Sequence, residues 1–513
     1  MQKLKRREFL KMGAQGIALA TIPFVFKVNP LMAFASPGEN GKLGDYYRHF
    51  GVDEKIIREV MAAALEKGGD YCDLFFQHRI GKWVGLEDNL VNQAYTNIDF
   101  GVGIRVIEGE QTGYSFTEEI TPQAMKLAAK TAANIANQSK TQPPEELKLH
   151  PTPGYYPIQT LWEDVKVDTK IPYLQKINER MFNNDKRVVK ARVSFSDSTT
   201  YILIATSDGR VVYDYQPSAS LFATCNAEQN GRKEENYFGL RGRRGIEYYT
   251  PENVNRIADE VVKKTVALFE AVKPEGGEME VVLAAGSSGI LLHEAIGHGM
   301  EADANRKKIS IYCDKMNQKI AENFVSIVDD GTLPNQRGSL NIDDEGNDTE
   351  KTVLVENGIL KSYMCDRISA NYYKVKPTGN GRRESFRYSP IPRMRNTYML
   401  NGPHTKEEII QSVKKGLYAI DFTNGEVRIG AGDFTFYVKT GYLIEDGKLT
   451  YPIKDVNIIG NGPQVLSKMV MVANDLGLDE SGGTCGKAGQ SVPVNDGLPT
   501  TKVSSITVGG VTS

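Results

Sequence analysis

Glu280-Val281-Val282-Leu283-Ala284-Ala285-Gly286, then Gly289-Ile290-Leu291-Leu292, then His293-Glu294-Ala295-Ile296-Gly297-His298, is the stretch that decides how this chain is read. The first run is short, continuous and apolar, as a buried strand is, and the second opens a helix. Two imidazoles and a carboxylate therefore follow a strand-to-helix turn, in surroundings that are otherwise apolar.

The spacing of the histidines sets a geometric condition. Side chains four apart on an α-helix differ by about 40° of rotation and share a face, whereas side chains five apart diverge by about 140°. His293 and His298 are five apart. A regular helix leaves them unrelated, but a single π-type turn, which holds roughly one more residue, brings them to one ion. Gly297 is the residue expected to allow that turn. The chain has six histidines in 513 residues and two of them fall here beside Glu294, which favours the metal reading over chance.

Far downstream, Ser481-Gly482-Gly483-Thr484-Cys485-Gly486-Lys487 presents a cysteine in a glycine-rich loop, next to a lysine that favours the thiolate. Two imidazoles and that thiolate make a three-ligand Zn²⁺ site with the fourth position open. Glu294 is then the expected general base. Glu301 or Asp303 is the expected acceptor for a ligand imidazole.

Four blocks in this order carry a family resemblance: His293 to Asp303, Thr378-Gly379-Asn380-Gly381-Arg382-Arg383-Glu384-Ser385, Pro392-Arg393-Met394-Arg395-Asn396-Thr397-Tyr398, and Gly483 to Lys487 with Gln490-Ser491-Val492-Pro493-Val494. From about Asp53 to the C-terminus, and most strongly after Gly277, the chain resembles the TldD/PmbA metalloproteases. The resemblance implies a zinc peptidase with His293, His298 and Cys485 as ligands and Glu294 as base, acting on unfolded or extended peptides. It also implies a dimer enclosing the site, either a homodimer or a heterodimer with a PmbA-type subunit. The alternative is a non-catalytic peptide-binding or maturation subunit of such a complex, and the intact metal motif favours the enzyme. A hydrolase of cell-wall peptides would use the same chemistry.

Asn380, Arg382 and Arg383 follow a flexible glycine turn, with Arg387, Arg393 and Arg395 close behind. A basic turn is usually solvated, although guanidiniums also fork onto peptide carbonyls and carboxylates. Because the segment is one of the blocks that carry the family resemblance, the resemblance implies that these three belong to the substrate cleft.

Lys5-Arg6-Arg7-Glu8-Phe9-Leu10-Lys11, an apolar run from Met12 to Phe26 and Ala33-Phe34-Ala35 form a Tat-type export signal with cleavage expected after Ala35. The apolar run is shorter than the roughly 20 residues of a spanning helix, so no stable membrane span is expected. The expected location is the periplasm or the exterior. Five cysteines do not indicate a disulfide framework. With a formal charge of −2, nothing electrostatic recommends nucleic acid.

The expected class is α+β. After the signal (1–35), an N-terminal mixed α/β domain (36–275) precedes a strand-rich catalytic domain (276–513), a large curved sheet or open barrel carrying the metal helix. Helices are expected over Asp53 to Lys67, Thr121 to Gln138, Thr169 to Asn184 and Thr250 to Val272. Strands are expected at Tyr71 to Gln77, Gly101 to Ile107, Arg187 to Phe195 and Thr199 to Thr206, the last two separated by Ser196-Asp197-Ser198. Gly101-Val102-Gly103 precedes a strand and not a helix, so it is no nucleotide loop. Asn357-Gly358 and Asp446-Gly447 mark hairpins.

Overall fold

Tyr71–Glu87 and Leu90–Glu108 are long antiparallel strands joined through Asp88 and Asn89, both with positive φ (47° and 68°), the backbone a two-residue hairpin of right-handed twist demands. They belong to a seven-stranded sheet in the order Gln111–Thr117, Leu90–Glu108, Tyr71–Glu87, Val188–Thr206, Arg210–Gln229, with Arg232–Gly242 and Lys148–Leu149 also on Arg210–Gln229. The structure, a computed structural model, describes residues 45–136 and 143–509. The expected export signal, residues 1–35, lies outside them. Among the described residues no helix is long and apolar enough to cross a membrane.

Helices Val167–Asn184 and Pro251–Ala267 cover one face of this sheet, where Leu174, Ile177, Met181, Ile257 and Val261 pack on Val193, Phe195, Leu221 and Ala223. The second of these helices starts at Thr250, whose hydroxyl accepts from the Asn253 amide, with proline at the first turn. The expected break at Ser196-Asp197-Ser198 is absent. Val188–Thr206 is one unbroken strand because it is central, paired through Ser196 to Ser198 with both Tyr71–Glu87 and Arg210–Gln229. Tertiary pairing overrides the weak strand preference of those residues.

Every strand after residue 276 belongs to other sheets. Gly277–Leu283 pairs parallel with Lys415–Arg428 and antiparallel with Thr501–Gly509, and through Val456–Asn461 and Asp433–Glu445 the ring returns to Lys415–Arg428. The barrel is closed, which removes its edges. A second seven-stranded sheet runs Ile359–Leu360, Lys351–Glu356, Ile327–Asp330, Asn396–Met399, Gln490–Leu498, Gly477–Leu478, with Gly483–Lys487 also on Gln490–Leu498. The metal helix packs between barrel strand Lys415–Arg428 and strand Gln490–Leu498 of this second sheet. Both expected hairpin turns are present, with positive φ at Asn357, Gly358, Asp446 and Gly447.

Candidate metal centre

Gly277–Leu283 exits the barrel into a turn, a short helix Ile290–Leu292, and then a π-helical turn over His293–Gly297. The extra residue in that turn does what the spacing requires. The His293 and His298 rings stand 5.1 Å apart, edge to face. Gly297, however, has φ −57° and ψ −52°, a conformation open to any residue. Glycine is needed for room, since a Cβ there would lie 2.1 Å from Met394 Sδ. Gly289 acts likewise: a Cβ would meet the Gly497 backbone nitrogen at 2.4 Å, so its absence lets the helix close onto strand Gln490–Leu498.

That contact is what recruits the distant ligand. Gly483–Lys487 is not a loop but a strand, turned back onto Gln490–Leu498 through Ala488 and Gly489, both with positive φ. Cys485 lies opposite Val492 and is buried. Its Sγ is 3.2 Å from His298 Nε2, and ligand atoms of His293, His298 and Cys485 lie within 4.8 Å of one another. With metal bonds of about 2.0–2.3 Å, the edges of a zinc tetrahedron are about 3.3–3.7 Å, so these donors fit one Zn²⁺ with small adjustments. Two neutral imidazoles and a thiolate are the chemistry that ion prefers.

Glu301, wholly buried, accepts from His298 Nδ1 at 2.9 Å, which directs the Nε2 lone pair toward the cluster. Of the two acidic candidates, Glu301 takes this position. Asp303 stands one step back, 2.7 Å from Lys487 Nζ, which also reaches Glu301 at 3.0 Å. Lys487 thus spends its charge on carboxylates. Burial would raise the Glu301 pKa, but Lys487, His298 and Arg393 outweigh it and hold it at about 2. The thiolate has other support: burial would push Cys485 up, yet charge and hydrogen bonds from His293 and His298 hold it down at about 4. Metal-free protein, measured as the difference from Cys485→Ser, should therefore keep its thiolate absorbance down to a midpoint near pH 4. A midpoint in the ordinary thiol range, about 8.5, would contradict this arrangement.

Glu294 is beside the cluster without being held by it. Its side chain is 20% exposed, and Oε2 is 3.7 Å from His298 Nε2.

Asn380, Arg382 and Arg383 are displaced from their expected role at the substrate cleft, because all three are buried and bonded inside the protein. Asn380 donates to Asp329 and to the Arg393 carbonyl; Arg382 donates to the carbonyls of Met394 and Pro493; Arg383 donates to Asp73 and to the Asp344 carbonyl. Arg393 holds the carbonyls of Cys485 and Gln490, and Arg395 is locked onto Asp329. These residues form the frame that fixes the Cys485 strand. The carbonyls of Gly483 and Cys485 accept from Arg337 and Arg393, which ties the strand to that frame.

Asp496 was not singled out by sequence, because Asp-Gly reads as a turn. It is buried, its Oδ1 has no hydrogen-bond partner among the described residues, and burial and Asp479 push its pKa well up against the pull of His293.

Comparison with known proteins agrees with this architecture. The chain matches PmbA/TldA metallopeptidase domain 1 over residues 72–136, the central domain over 161–269 and the C-terminal domain over 276–510. It is 40% identical over 450 residues to a protein of Haemophilus influenzae named "Metalloprotease TldD homolog", covering 86% of this chain and 93% of that one. It is 28% identical over 450 residues to a Saccharolobus solfataricus protein named "Zinc metalloprotease TldD homolog", covering 87% and 98%. The crystal structure of TldE from Thermococcus kodakarensis shares the fold, with a TM-score of 0.70 at 19% identity over 89% of this chain and 99% of that one. The chain with its buried His-His-Cys cluster belongs to the PmbA/TldD family of metallopeptidases.

Proposed function

We propose that this protein is a zinc-dependent endopeptidase that hydrolyses unfolded or extended peptides, with His293, His298 and Cys485 as ligands and Glu294 as general base. The observation that carries the reading is the convergence of three buried donors, two from one π turn and one from a strand nearly two hundred positions away, with a carboxylate left free beside them. Zn²⁺ held there would supply Lewis acidity, polarising a peptide carbonyl and acidifying water.

The chain's own residues do the rest. Glu294, partly exposed, takes the proton of the attacking water and returns it to the leaving amine. Glu301 keeps the proton on His298 Nδ1 and so keeps Nε2 a donor. The relative named as a zinc enzyme supports the metal, and the same reading includes a two-subunit assembly, either with a PmbA-type chain or with a second copy. Export through residues 1–35 would place the reaction in the periplasm or outside the cell.

The test is digestion of a denatured, unstructured polypeptide beside the same polypeptide folded. Cleavage of the unfolded form alone, abolished by a chelator and restored by Zn²⁺, is expected. Cleavage that survives complete metal removal, or no cleavage by zinc-replete dimer, contradicts the proposal.

A further inference from the structure

A cavity of about 300 Å³ lies against the strand that carries Cys485, and its chemistry is unlike that of the metal cluster. Arg79 from Tyr71–Glu87, Arg241 from Arg232–Gly242 and Arg337 from the loop after Ile327–Asp330 line it, together with Ser198, Ser220 and Thr484. Thr484 is the residue next to the metal-ligand cysteine.

Three guanidiniums converge here, and the charge of Asp479 opposes that of Arg241. None of the three has an ion-pair partner among the described residues. Asp197, the one acidic residue lining the cavity, is paired with Lys170. Arg241 donates to Ser220 Oγ at 3.1 Å, and Arg337 donates to the Gly483 carbonyl and to Thr484 Oγ1 at 2.8 and 3.0 Å. These are bonds to neutral acceptors. They orient the forks without neutralising them. Burial, together with the charges of Arg241, Arg243 and Arg79, pulls the Arg337 pKa down to about 10, which registers the mutual repulsion. Holding several guanidiniums in one partly buried space is costly unless an anion joins them, and arginine forks match a planar carboxylate in a bidentate manner.

We infer that this arginine- and serine-lined cavity is a subsite for a carboxylate of the peptide substrate, either its free C-terminus or an acidic side chain, held against the Cys485 strand. The inference rests on the peptidase reading, and it names a substrate preference that backbone recognition alone would not produce. Arg79 and Arg241 supply the anion contacts; Arg337 positions Thr484 and the cysteine strand as well as adding charge. Thr484 and Cys485 are neighbours on one strand with side chains on opposite faces, Thr484 exposed and Cys485 buried, so a peptide anchored here reaches the metal ligands by passing around the strand.

The test is equilibrium binding of a fluorescently labelled, unstructured six-residue peptide to the zinc-loaded Glu294→Gln protein, which spares the probe from turnover. Free-acid and C-terminally amidated forms are compared, and amidated peptides with internal Glu or internal Gln form the second pair. A carboxylate engaged by charge-assisted bonds should bind roughly 10- to 100-fold tighter than its neutral counterpart. Preference in the first pair assigns the chain end, and preference in the second assigns a side chain. Arg79→Gln, at an exposed position with no ion pair to lose, and Arg241→Gln should each shrink that preference without weakening the neutral peptides. Equal binding within both pairs, or a preference unchanged in both variants, overturns the inference. So does failure of every peptide to bind. Loss of the peptidase reading would show instead as absent cleavage by the wild-type enzyme, which this binding measurement does not use.

Discussion

Glu294→Gln leaves the zinc content unchanged and lowers peptide cleavage about 100- to 10,000-fold, the range that positioned proton transfer contributes. The substitution keeps the shape of the side chain and removes its basicity. Because Glu294 is 3.7 Å from His298 Nε2 and is only grazed by the cluster, its loss as a base should not release the metal. Turnover falls while KM changes little, since the group acts on the water and not on substrate affinity. Parallel metal analysis and steady-state kinetics check both halves. Unchanged turnover would remove Glu294 as the base, and loss of zinc would make it a ligand.

The second large effect concerns what holds the two parts of the fold together. Arg105, on the strand Leu90–Glu108, is wholly buried and donates to Asp73 Oδ2 and to Glu345 Oε1, each at 2.7 Å. Asp73 also meets Arg383, from the same segment that frames the cysteine strand. Arg105→Ala would leave buried Glu345 without its ion-pair partner and Asp73 with Arg383 alone, a loss from a buried charge network that costs about 3–5 kcal/mol. Urea unfolding of variant and wild type should show a midpoint difference of that size once converted through the m-value. An unchanged midpoint would show that the cluster does not carry the interface.

Much of the centre was legible because its chemistry is local. The five-residue histidine spacing forced a choice between no site and a π turn, and the π turn is what the helix adopts. Cys485 was readable from its motif, although its strand was mistaken for a loop because the glycines around it suggest flexibility. Sequence could not choose between Glu301 and Asp303. Glu301 is extended, with ψ 125°, so helical phase is broken there and later positions cannot be projected onto the histidines. The arginines failed for a different reason. A run such as Arg382-Arg383 looks solvated until the fold brings Asp73 and Asp344 to Arg383, from up to 310 positions away, and the carbonyls of Met394 and Pro493 to Arg382. Ser196 to Ser198 misled in the same sense, since only two flanking strands make them central.

The most direct measurement is zinc-edge X-ray absorption on the purified, zinc-loaded protein and on Cys485→Ser. The wild-type protein should show one sulfur at about 2.3 Å with nitrogen and oxygen neighbours at about 2.0–2.1 Å, and the variant should lose the sulfur or the metal. A shell of nitrogen and oxygen alone in the wild type, or the same sulfur signal in Cys485→Ser, would contradict a centre built from His293, His298 and Cys485.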